Sequence, residues 1–281
     1  MSLNEVSKDV YVLEGASNIS ILLYRDEALL IDTGLGDSGA RKVRRWAEEN
    51  GTEIRWIINT HSHADHFGGN SYLLKKFPNI RVFASEIEDS FIKYPILEPT
   101  FLYGASPPVS LRSAFLMSQA SPVHETLSPG KKEIGPFDLE IVPLPGHSFN
   151  QIGVIFRNVF FVTDSLFIPD LMEKYGILYF IDFDEWLRTF EKLKEFTDLR
   201  FILGHRKWKS NQKELVKKNI EHLEQVRKTI SSCLKDKKNP LSCTFNRLGI
   251  QRNPISMSLA LVSIKAVLKN LGVDYFEILR G

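Results

Sequence analysis

At 281 residues, with 43% hydrophobic and 25% charged residues, the chain has the composition of a globular protein and enough length for one large core and an appendage. No run reaches the ~18 apolar residues of a membrane span, and the segment Met1–Lys8 lacks the basic start and apolar stretch of a signal peptide, so we expect no membrane partner. Two cysteines are too few for a disulfide scaffold; we therefore expect Cys233 and Cys243 to be inert thiols and the protein to be cytoplasmic.

The formal net charge of +2 conceals a strong asymmetry along the chain. Residues 1–205 carry 20 Lys and Arg against 28 Asp and Glu, whereas residues 206–281 carry 16 against 6. The last part of the chain is therefore a basic module. It could be a solvated helical face that docks on the acidic core, or it could attract an anionic substrate or RNA.

Short apolar runs bounded by turn residues predict a series of strands. These are Val10–Leu13, Ile19–Tyr24, Ala28–Ile31, Ile54–Ile58, Arg81–Phe83, Asp138–Val142, Ile152–Phe156, Val159–Val162, Arg200–Leu203 and Val273–Ile278. The dipeptide Arg157-Asn158 predicts a hairpin between two of them.

Helical periodicity and capping signals predict helices between the strands. They are Asp37–Asn50 with Asp37 as its cap, Asn70–Lys76, Ser85–Tyr94, Asp184–Phe196 with Asp184 as its cap, Asn211–Lys235 and Ile255–Leu271. Strands and helices in this alternation predict an α/β fold, a sandwich of two sheets flanked by helices.

Three of the seven histidines fall within six positions, directly after the predicted strand Ile54–Ile58. Imidazole nitrogens and carboxylate oxygens are ligands for zinc and related divalent ions. On a helix His61 and His63 would lie about 200° apart, so a loop after a strand is the better interpretation. With Asp65 and His66 these residues predict a metal site, and a chance cluster on a solvated loop is the alternative.

Four further polar residues each stand at the end of a strand-like run. His147 and His205 both follow a glycine. Asp164 ends a hydrophobic run, where a carboxylate would be costly to bury without a cation. Asp32 precedes a glycine turn and could be either an ordinary turn aspartate or a functional residue.

On these residues the chain resembles the metallo-β-lactamase superfamily of metal-dependent hydrolases over roughly residues 10–230. The superfamily signature His-x-His-x-Asp-His is matched by His61, His63, Asp65 and His66. Its Pro-Gly-His element, its metal-bridging aspartate and its last histidine are matched by His147, Asp164 and His205. The resemblance implies a four-layer αββα sandwich with the metals at one edge and a C-terminal helical appendage.

The resemblance also implies the ligand set. One divalent ion would be held by His61, His63 and His147, and a second by Asp65, His66 and His205. Asp164 would bridge the two ions, and Asp32 would support the ligands from behind. Zinc is the expected metal, with manganese or iron as alternatives.

Two ions would share a hydroxide nucleophile at neutral pH. Asp65 and Asp164 are the candidate catalytic residues, because either could orient the hydroxide and Asp65 could pass a proton to the leaving group.

Three departures from the common superfamily pattern bear on the substrate. Asp164 stands where many true β-lactamases have cysteine, which disfavours antibiotic hydrolysis. Phe149-Asn150-Gln151 replaces the usual small residues after the Pro-Gly-His element, and Arg206 replaces a glycine and could direct a cation at the site.

The leading hypothesis is hydrolysis of a small ester, thioester or lactone, since the ligand set resembles the hydroxyacylglutathione hydrolase and lactonase branches. The substrate could be anionic and contact the basic module. Phosphodiester or RNA cleavage is the alternative, although the large inserted domain of the RNA-processing branch is missing. A mononuclear iron enzyme that oxidises sulfur compounds and a non-catalytic sensor are further alternatives. Oligomeric state is left open.

We expect residues 1–236 to form the metal-binding catalytic domain and residues 237–281 a small, basic, mainly helical appendage. Residues 95–130, rich in proline and aromatic residues, are expected to form either an apolar lid over the metals or ordinary surface packing. Residues 166–183 could form the opposite wall. His124 has no partner motif and is left unassigned.

Overall fold

A computed structural model describes residues 3–207, 211–235 and 240–278 of the chain. The chain divides into two compact units, each of which is described by itself. Unit 1 comprises Met1–Leu144, Asn150–Asp164 and Asp198–Lys207, and unit 2 comprises Pro145–Phe149, Ser165–Thr197 and Trp208–Gly281. These units do not follow the predicted boundary between residues 236 and 237, which stays a prediction about separate domains.

Unit 1 contains a seven-stranded sheet whose strands follow one another in sequence order. They are β1 Leu3–Ser7, β2 Val10–Leu13, β3 Ile19–Tyr24, β4 Glu27–Ile31, β5 Glu53–Ile58, β6 Arg81–Ala84 and β7 Glu125–Thr126. Pairing is antiparallel from β1 to β4 and parallel from β4 to β7. Because β4 and β5 are parallel neighbours, the residues that follow them emerge at the same edge of the sheet.

A second, five-stranded sheet lies in the same unit. Its strands are β8 Gly130–Ile134, β9 Phe137–Pro143, β10 Ile152–Phe156, β11 Val159–Thr163 and β12 Arg200–Leu203, in the order β12-β11-β10-β9-β8. Only β11 and β12 pair parallel. The predicted hairpin is confirmed, with Arg157 at φ 56° in the turn between β10 and β11.

Two apolar cores flank the first sheet, because alternate side chains of a strand point to opposite faces. In β4, Leu29 and Ile31 enter a core shared with the second sheet. Ala28 and Leu30 enter a core on the other face, which Ala40 of the first helix also joins. Helices, first sheet and second sheet thus form three successive layers, and the predicted α/β class with two sheets is confirmed.

The helices of unit 1 carry connections between the strands. They are α1 Gly36–Glu49, α2 Ala64–Phe67, α3 Asn70–Lys76, α4 Glu86–Lys93 and α5 Leu97–Tyr103, with a 3-10 turn at Val109–Leu111. Residues 95–130, expected as a loop, therefore contain a helix, a 3-10 turn and a short strand. Strands β1, β7 and β8 were also not predicted. In β8, Lys131, Lys132 and Glu133 give no apolar alternation, and pairing with β9 determines the strand.

Unit 2 is helical. Its helices are α6 Pro169–Tyr175, α7 Phe183–Leu193 with a 3-10 continuation at Lys194–Phe196, α8 Gln212–Cys233, α9 Pro240–Arg247, α10 Pro254–Asn270 and α11 Tyr275–Ile278. Helix α8 packs against α6, α7, α9 and α10. The buried Asn219 side chain bonds both the N–H and the carbonyl of Phe167, and Ser263 does the same for Phe180. These bonds fix the segment between β11 and α7 to the helices.

Two predicted helix caps are wrong. Helix α1 begins at Gly36 without a side-chain cap, and Asp37 instead forms an ion pair with Arg41. Helix α7 is capped by Asp182, which accepts the N–H of Glu185. Asp184 accepts a hydrogen bond from Asn270 of α10. Only for Asp184 does a partner far along the chain, Asn270, account for the difference.

Two further expectations in the C-terminal part are corrected. Cys233 and Cys243 form a disulfide rather than inert thiols, because α9 turns back and brings their Cα atoms within 5.6 Å. The predicted strand at 273–278 is the short helix α11, since Asp274 accepts the N–H of Phe276 in a helix-start geometry. Within residues 3–207, 211–235 and 240–278, no helix is both long enough and apolar enough to cross a bilayer.

Candidate metal centre

Three predicted metal ligands of unit 1, and the predicted supporting residue Asp32, follow the carboxyl ends of two parallel strand pairs. Asp32 follows β4 and His61 lies just after β5 in the first sheet, while Asp164 follows β11 and His205 lies just after β12 in the second. Parallel neighbours deliver their following residues to one edge of a sheet. The strand ends thereby bring residues that are far apart in sequence close to one another.

Asp32 is a fully buried acceptor that holds the histidine loop, residues 59–63, to His66 in helix α2. Its Oδ1 accepts the backbone N–H of Thr60 at 2.8 Å, and its Oδ2 accepts the Thr60 hydroxyl at 2.8 Å. The same Oδ2 lies 2.7 Å from Nδ1 of His66. A carboxylate facing Nδ1 fixes a proton there, so in the neutral ring Nε2 of His66 carries the lone pair.

Two carboxylates, of Asp164 and Asp65, lie between that nitrogen and Nε2 of His205. Nε2 of His66 lies 3.4 Å from Oδ1 of Asp164 and 3.8 Å from Oδ2 of Asp65. Nε2 of His205 lies 3.1 Å from Oδ2 of Asp164 and 3.4 Å from Oδ2 of Asp65. Ligand atoms of Asp65, His66 and His205 all lie within 4.8 Å of one another. Two imidazoles and two carboxylates therefore meet in one small volume.

Gly204 makes this approach possible. A Cβ atom at this position would lie 1.9 Å from Oδ1 of Asp164 and 2.8 Å from Cε1 of His66. Any side chain there would displace the aspartate. The glycine before His205 is thus required by packing against the site rather than by its own backbone angle.

The loop before β3 holds His205 in place. Nδ1 of His205 lies 2.5 Å from the carbonyl oxygen of Ala16, which identifies Nδ1 as the protonated nitrogen. Asn18 donates to the carbonyls of Leu203 and Arg206, on either side of the histidine. The side chain of Arg206 is exposed.

His61 and His63 are stacked edge to face with 4.6 Å between their ring centroids, and His61 is also 4.1 Å from the ring of His66. Nδ1 of His61 lies 3.1 Å from the hydroxyl of Thr60. Asp32, His61 and His66 form a second group with ligand atoms within 4.8 Å. In that group the Asp32 carboxylate already accepts hydrogen bonds from Thr60 and His66, so we assign it a supporting role behind these residues.

Two buried glutamates lie beside the histidine loop. Glu88 accepts the N–H of Ser62 at 2.9 Å, the Ser62 hydroxyl at 2.5 Å and the N–H of Asn150 at 2.8 Å. Glu98, on α5, has Oε1 3.8 Å from Nε2 of His63. Burial, and then the nearby Glu88 carboxylate, raise the pKa of Glu98 to about 8.

His147 belongs to unit 2. Its Nδ1 lies 2.8 Å from the carbonyl oxygen of Tyr179, so Nδ1 carries the proton and Nε2 is the potential ligand atom. The rings of Phe167, Tyr179 and Trp186 surround it with centroids 5.7–6.2 Å away. Gly146 allows the close passage of Trp186, whose Cα would lie 2.4 Å from a Cβ at that glycine. The assignment of His147 to the first metal stays a prediction.

The electrostatics of the unit 1 cluster couple imidazoles to carboxylates. Burial lowers the pKa of His66, but Asp164, Asp65 and Asp32 outweigh it and raise the pKa well above its usual value. Burial likewise lowers the pKa of His205, while Asp164 and Asp65 raise it to about 9 overall. Burial raises the pKa of Asp164, yet His205 and His66 lower it well below its usual value. Without metal, imidazolium charge therefore balances the carboxylates.

The residues of the cluster fit a divalent cation. Nε2 of His66 is buried without a hydrogen bond in the described part of the chain, and carboxylate oxygens face it. Imidazole nitrogen with carboxylate oxygen is a donor set that zinc and related ions accept. A cation would replace the proton charge that His66 and His205 otherwise supply, so metal binding would release protons.

Several residues of the site were not predicted from the sequence. Thr60, Glu88, Glu98 and Asn18 all act through partners distant in the chain, and no local pattern identifies them. Of the unusual segment after His147, Gln151 is buried and donates to the carbonyl of Val162 and the hydroxyl of Thr163. Internal hydrogen bonding thus gives a structural reason for the glutamine at position 151.

The chain is similar in sequence to known metal-dependent hydrolases. The family model for the metallo-beta-lactamase superfamily matches residues 12–205. A probable metallo-hydrolase of Methanocaldococcus jannaschii is 31% identical over 161 residues, 54% of this chain and 69% of that protein. Hydroxyacylglutathione hydrolases are 26% identical in Pelagibacter ubique, over 84% of this chain and 91% of the relative, and 28% identical in Trichodesmium erythraeum, over 58% and 54%. The chain thus matches little more than half of the Trichodesmium protein.

Solved structures show the same fold. A metallo-beta-lactamase family protein from Thermus thermophilus superposes with a TM-score of 0.72 at 18% identity, over 95% of each chain. A beta-lactamase domain protein from Burkholderia ambifaria gives 0.71 at 15% identity, over 96% of this chain and 90% of its own. The family match spans most of the chain and includes all seven predicted ligand positions. The chain belongs to the metallo-β-lactamase superfamily.

Proposed function

We propose that this protein is a dinuclear metal-dependent hydrolase of a small ester, thioester or lactone. The proposed ligands are His61, His63 and His147 for one ion, Asp65, His66 and His205 for the other, and Asp164 for both, with zinc as the metal. His147, from unit 2, is included on the motif alone. Asp32 is proposed to support His66 from behind.

The observation that carries this proposal is the convergence of Asp65, His66, Asp164 and His205, with nitrogen–oxygen distances of 3.1–3.8 Å. Each of the two histidines has its Nδ1 tied to an oxygen, of Asp32 or of Ala16, and presents Nε2 to the carboxylates. Such orientation of imidazoles by acceptors behind them is the usual arrangement around a bound metal.

Bound divalent ions would supply Lewis-acid polarisation of the substrate and an activated water. The chain's own contribution is to hold acceptor oxygens beside the reacting atoms. Asp164 is 5% exposed and held between two imidazoles, so its proposed role is to orient the water rather than to exchange a proton. Asp65 is 14% exposed, and its Oδ2 faces both histidines; it is the better group to deliver a proton to the leaving group.

The substrate class rests on the relatives and on the ligand set. The relatives from Pelagibacter ubique and Trichodesmium erythraeum are both named hydroxyacylglutathione hydrolase, and an acylglutathione is a thioester. Asp164 in place of cysteine disfavours β-lactams. The charge of residues 206–281 would favour an anionic small molecule over a neutral one. Nuclease action remains the competing function, because phosphodiesters are also cleaved at two-metal sites.

Metal content and a substrate panel test the proposal. Reconstituted protein should bind two ions per chain and hydrolyse a thioester, ester or lactone; chelation should abolish the activity and metal re-addition restore it. Asp164→Asn should lower both metal content and activity, whereas Asp170→Asn, at an exposed position of α6, should change neither. A plateau at one ion, or activity that survives proven metal removal, would contradict the proposal.

Salt dependence distinguishes the two hydrolases. For RNA, binding should weaken steeply with salt, with a log-log slope of about −0.7 per phosphate contact. For a small thioester or lactone the KM should change little. Metal-dependent RNA cleavage with a steep slope would reverse the ranking of the two hydrolases.

A cytoplasmic location also stays a prediction, and the Cys233–Cys243 bond argues against it because reducing compartments rarely keep disulfides.

A further inference from the structure

Strand β11 is irregular at its carboxyl end, directly before Asp164. Its pairing with β12 shifts by one position between Phe161 and Thr163, so that Val162 is an extra residue and the strand contains a β-bulge. A bulge bends a strand and redirects the side chains beside it, and bulges are common next to active sites. The carboxylate of Asp164 lies 3.1–3.4 Å from two imidazoles. The direction of this proposed shared ligand therefore depends on the backbone of the two residues before it.

Thr163 has a backbone conformation that its residue type rarely adopts. Its φ is 42°, in the left-handed region, and its side chain is branched at Cβ. A branched residue is strained in this region, and such a conformation persists only where the surrounding structure imposes it. Thr163 is buried, so contacts within the protein impose the conformation. The polar contacts of the bulge are therefore the place to look for what directs Asp164.

The side chain of Gln151 supplies two of these contacts. It is fully buried just before β10, and its Nε2 donates to the carbonyl oxygen of Val162 at 3.3 Å and to Oγ1 of Thr163 at 3.3 Å. The first bond satisfies the carbonyl of the extra residue, and the second holds the hydroxyl of the strained residue. A primary amide has two N–H donors, which matches these two acceptors. Gln151 thus fits the bulge in a way that an apolar side chain would not.

The hydroxyl of Thr163 continues this contact to the first sheet. It donates to Oγ1 of Thr60 at 3.1 Å, and the hydroxyl of Thr60 donates to Oδ2 of Asp32 at 2.8 Å. All of these side chains are buried and belong to unit 1. Buried hydrogen bonds that follow one another in a chain strengthen and orient each other. The chain therefore links the bulge of β11 to the carboxylate behind His66.

From this geometry we propose that Gln151 is a positioning residue of the metal centre: it holds the bulge at Val162 and Thr163 and thereby directs Asp164 at the ions. The inference rests on the proposed role of Asp164 as a shared ligand, but not on the identity of the substrate. Gln151 lies in the segment that departs from the common superfamily pattern, so the role is assigned from the contacts of this chain alone.

Metal affinity of the purified full-length protein tests the inference. Zinc binding is measured by competition with a chromophoric chelator in the wild type, Gln151→Met, Thr163→Val and the matched control Gln119→Met, which alters an exposed glutamine of unit 1. Methionine keeps the length of glutamine without its donors, and valine keeps the shape of threonine without its hydroxyl. Residues that support a metal ligand typically change affinity 10- to 100-fold.

We expect the lower end of that range, about a tenfold loss, for Gln151→Met, because Gln151 acts through the backbone rather than on the carboxylate itself. The loss should affect both ions, since Asp164 is their proposed shared ligand. Thr163→Val should show a smaller loss, because the bond from Gln151 to Val162 remains, and Gln119→Met should show none.

The substitution Thr163→Gly separates positioning from a merely structural role. Glycine adopts a positive φ without strain, so adding Thr163→Gly to Gln151→Met should restore part of the lost metal affinity. The visible spectrum of the cobalt-loaded protein, which reports ligand geometry, should shift in Gln151→Met and return towards the wild-type spectrum in the double variant. A structural role would instead lower the melting temperature of metal-free Gln151→Met and leave the metal affinity of the folded protein intact.

Wild-type zinc affinity in Gln151→Met would overturn the inference. If that variant folds poorly, Thr163→Val takes its place, because it removes a single hydroxyl and keeps the buried amide; wild-type affinity there would then overturn the inference. Absence of any zinc binding by the wild type would instead contradict the proposed function itself.

Discussion

Asp32→Asn is a nearly isosteric change that reverses one hydrogen-bonding direction behind the metal centre. Asp32 accepts from the Thr60 N–H, the Thr60 hydroxyl and Nδ1 of His66. An asparagine has one acceptor oxygen where Asp32 has two. Its NH₂ group must therefore face either the Thr60 N–H or Nδ1 of His66. The backbone stays tolerable, because asparagine accepts the φ of 60° found here.

The favoured outcome places the amide nitrogen at His66, which moves the imidazole proton from Nδ1 to Nε2. That tautomer cannot bind metal through Nε2. We expect metal affinity to fall about 10- to 100-fold, or about 1.4–2.7 kcal/mol, at the ion that His66 serves. The three hydrogen bonds that the Asp32 carboxylate accepts also lose its charge, so the metal-free protein should lose about 1–3 kcal/mol of stability.

Chelator competition and denaturant unfolding measure the two effects. Asp37→Asn is the matched control, since that aspartate is exposed and pairs with Arg41 in its own helix. If Asp32→Asn binds two ions with wild-type affinity, the Nδ1 proton is not what prepares His66, and the orientation argument fails.

Two other predictions concern packing and acidity. Gly204→Ala should reduce binding of both ions, because its Cβ would meet Asp164, whereas Gly39→Ala meets mainly the flexible end of Ile19 and should be tolerated; equal metal content in both would contradict the packing argument. Burial lowers the pKa of His222 to about 4, so the unfolded chain binds more protons than the folded one between pH 6.5 and 4. The free energy of unfolding should therefore fall by about 3 kcal/mol in total as the pH drops through that window. His222→Leu should remove this loss, which denaturant titrations at pH 7 and 4.5 measure. An identical acid dependence in the wild type and the variant would refute the argument.

The sequence was sufficient for the parts of the site that lie on local patterns. His61, His63, Asp65 and His66 form a dense motif after a strand, and the strand itself was predicted from its apolar run. Asp32 could only be interpreted through the family pattern, since a turn aspartate looks the same in sequence. Its three hydrogen bonds became visible in the structure.

The unpredicted features depend on partners far along the chain. Glu88 and Glu98 lie in helices whose sequence gives no reason to bury an acid, and their partners in the histidine loop lie 25 or more positions away. The Cys233–Cys243 bond was missed because a separation of ten residues does not fix the distance between two Cα atoms. The predicted cap at Asp184 failed because the nearby Asp182 takes that role, whereas α1 has no side-chain cap and already contains Asp37.

The wide spacing of the strand ends has a consequence for how the protein acquires its metal during synthesis. The histidine motif emerges from the ribosome about a hundred residues before Asp164 and about 140 before His205. Until β11 and β12 have joined their sheet, the nascent chain offers only a partial set of ligands. Ions that bind the completed centre then stabilise the folded chain by mass action, by about 2.7 kcal/mol when the free ion is a hundredfold above its Kd. Metal supply would thus determine how long the finished protein survives as well as how fast it works.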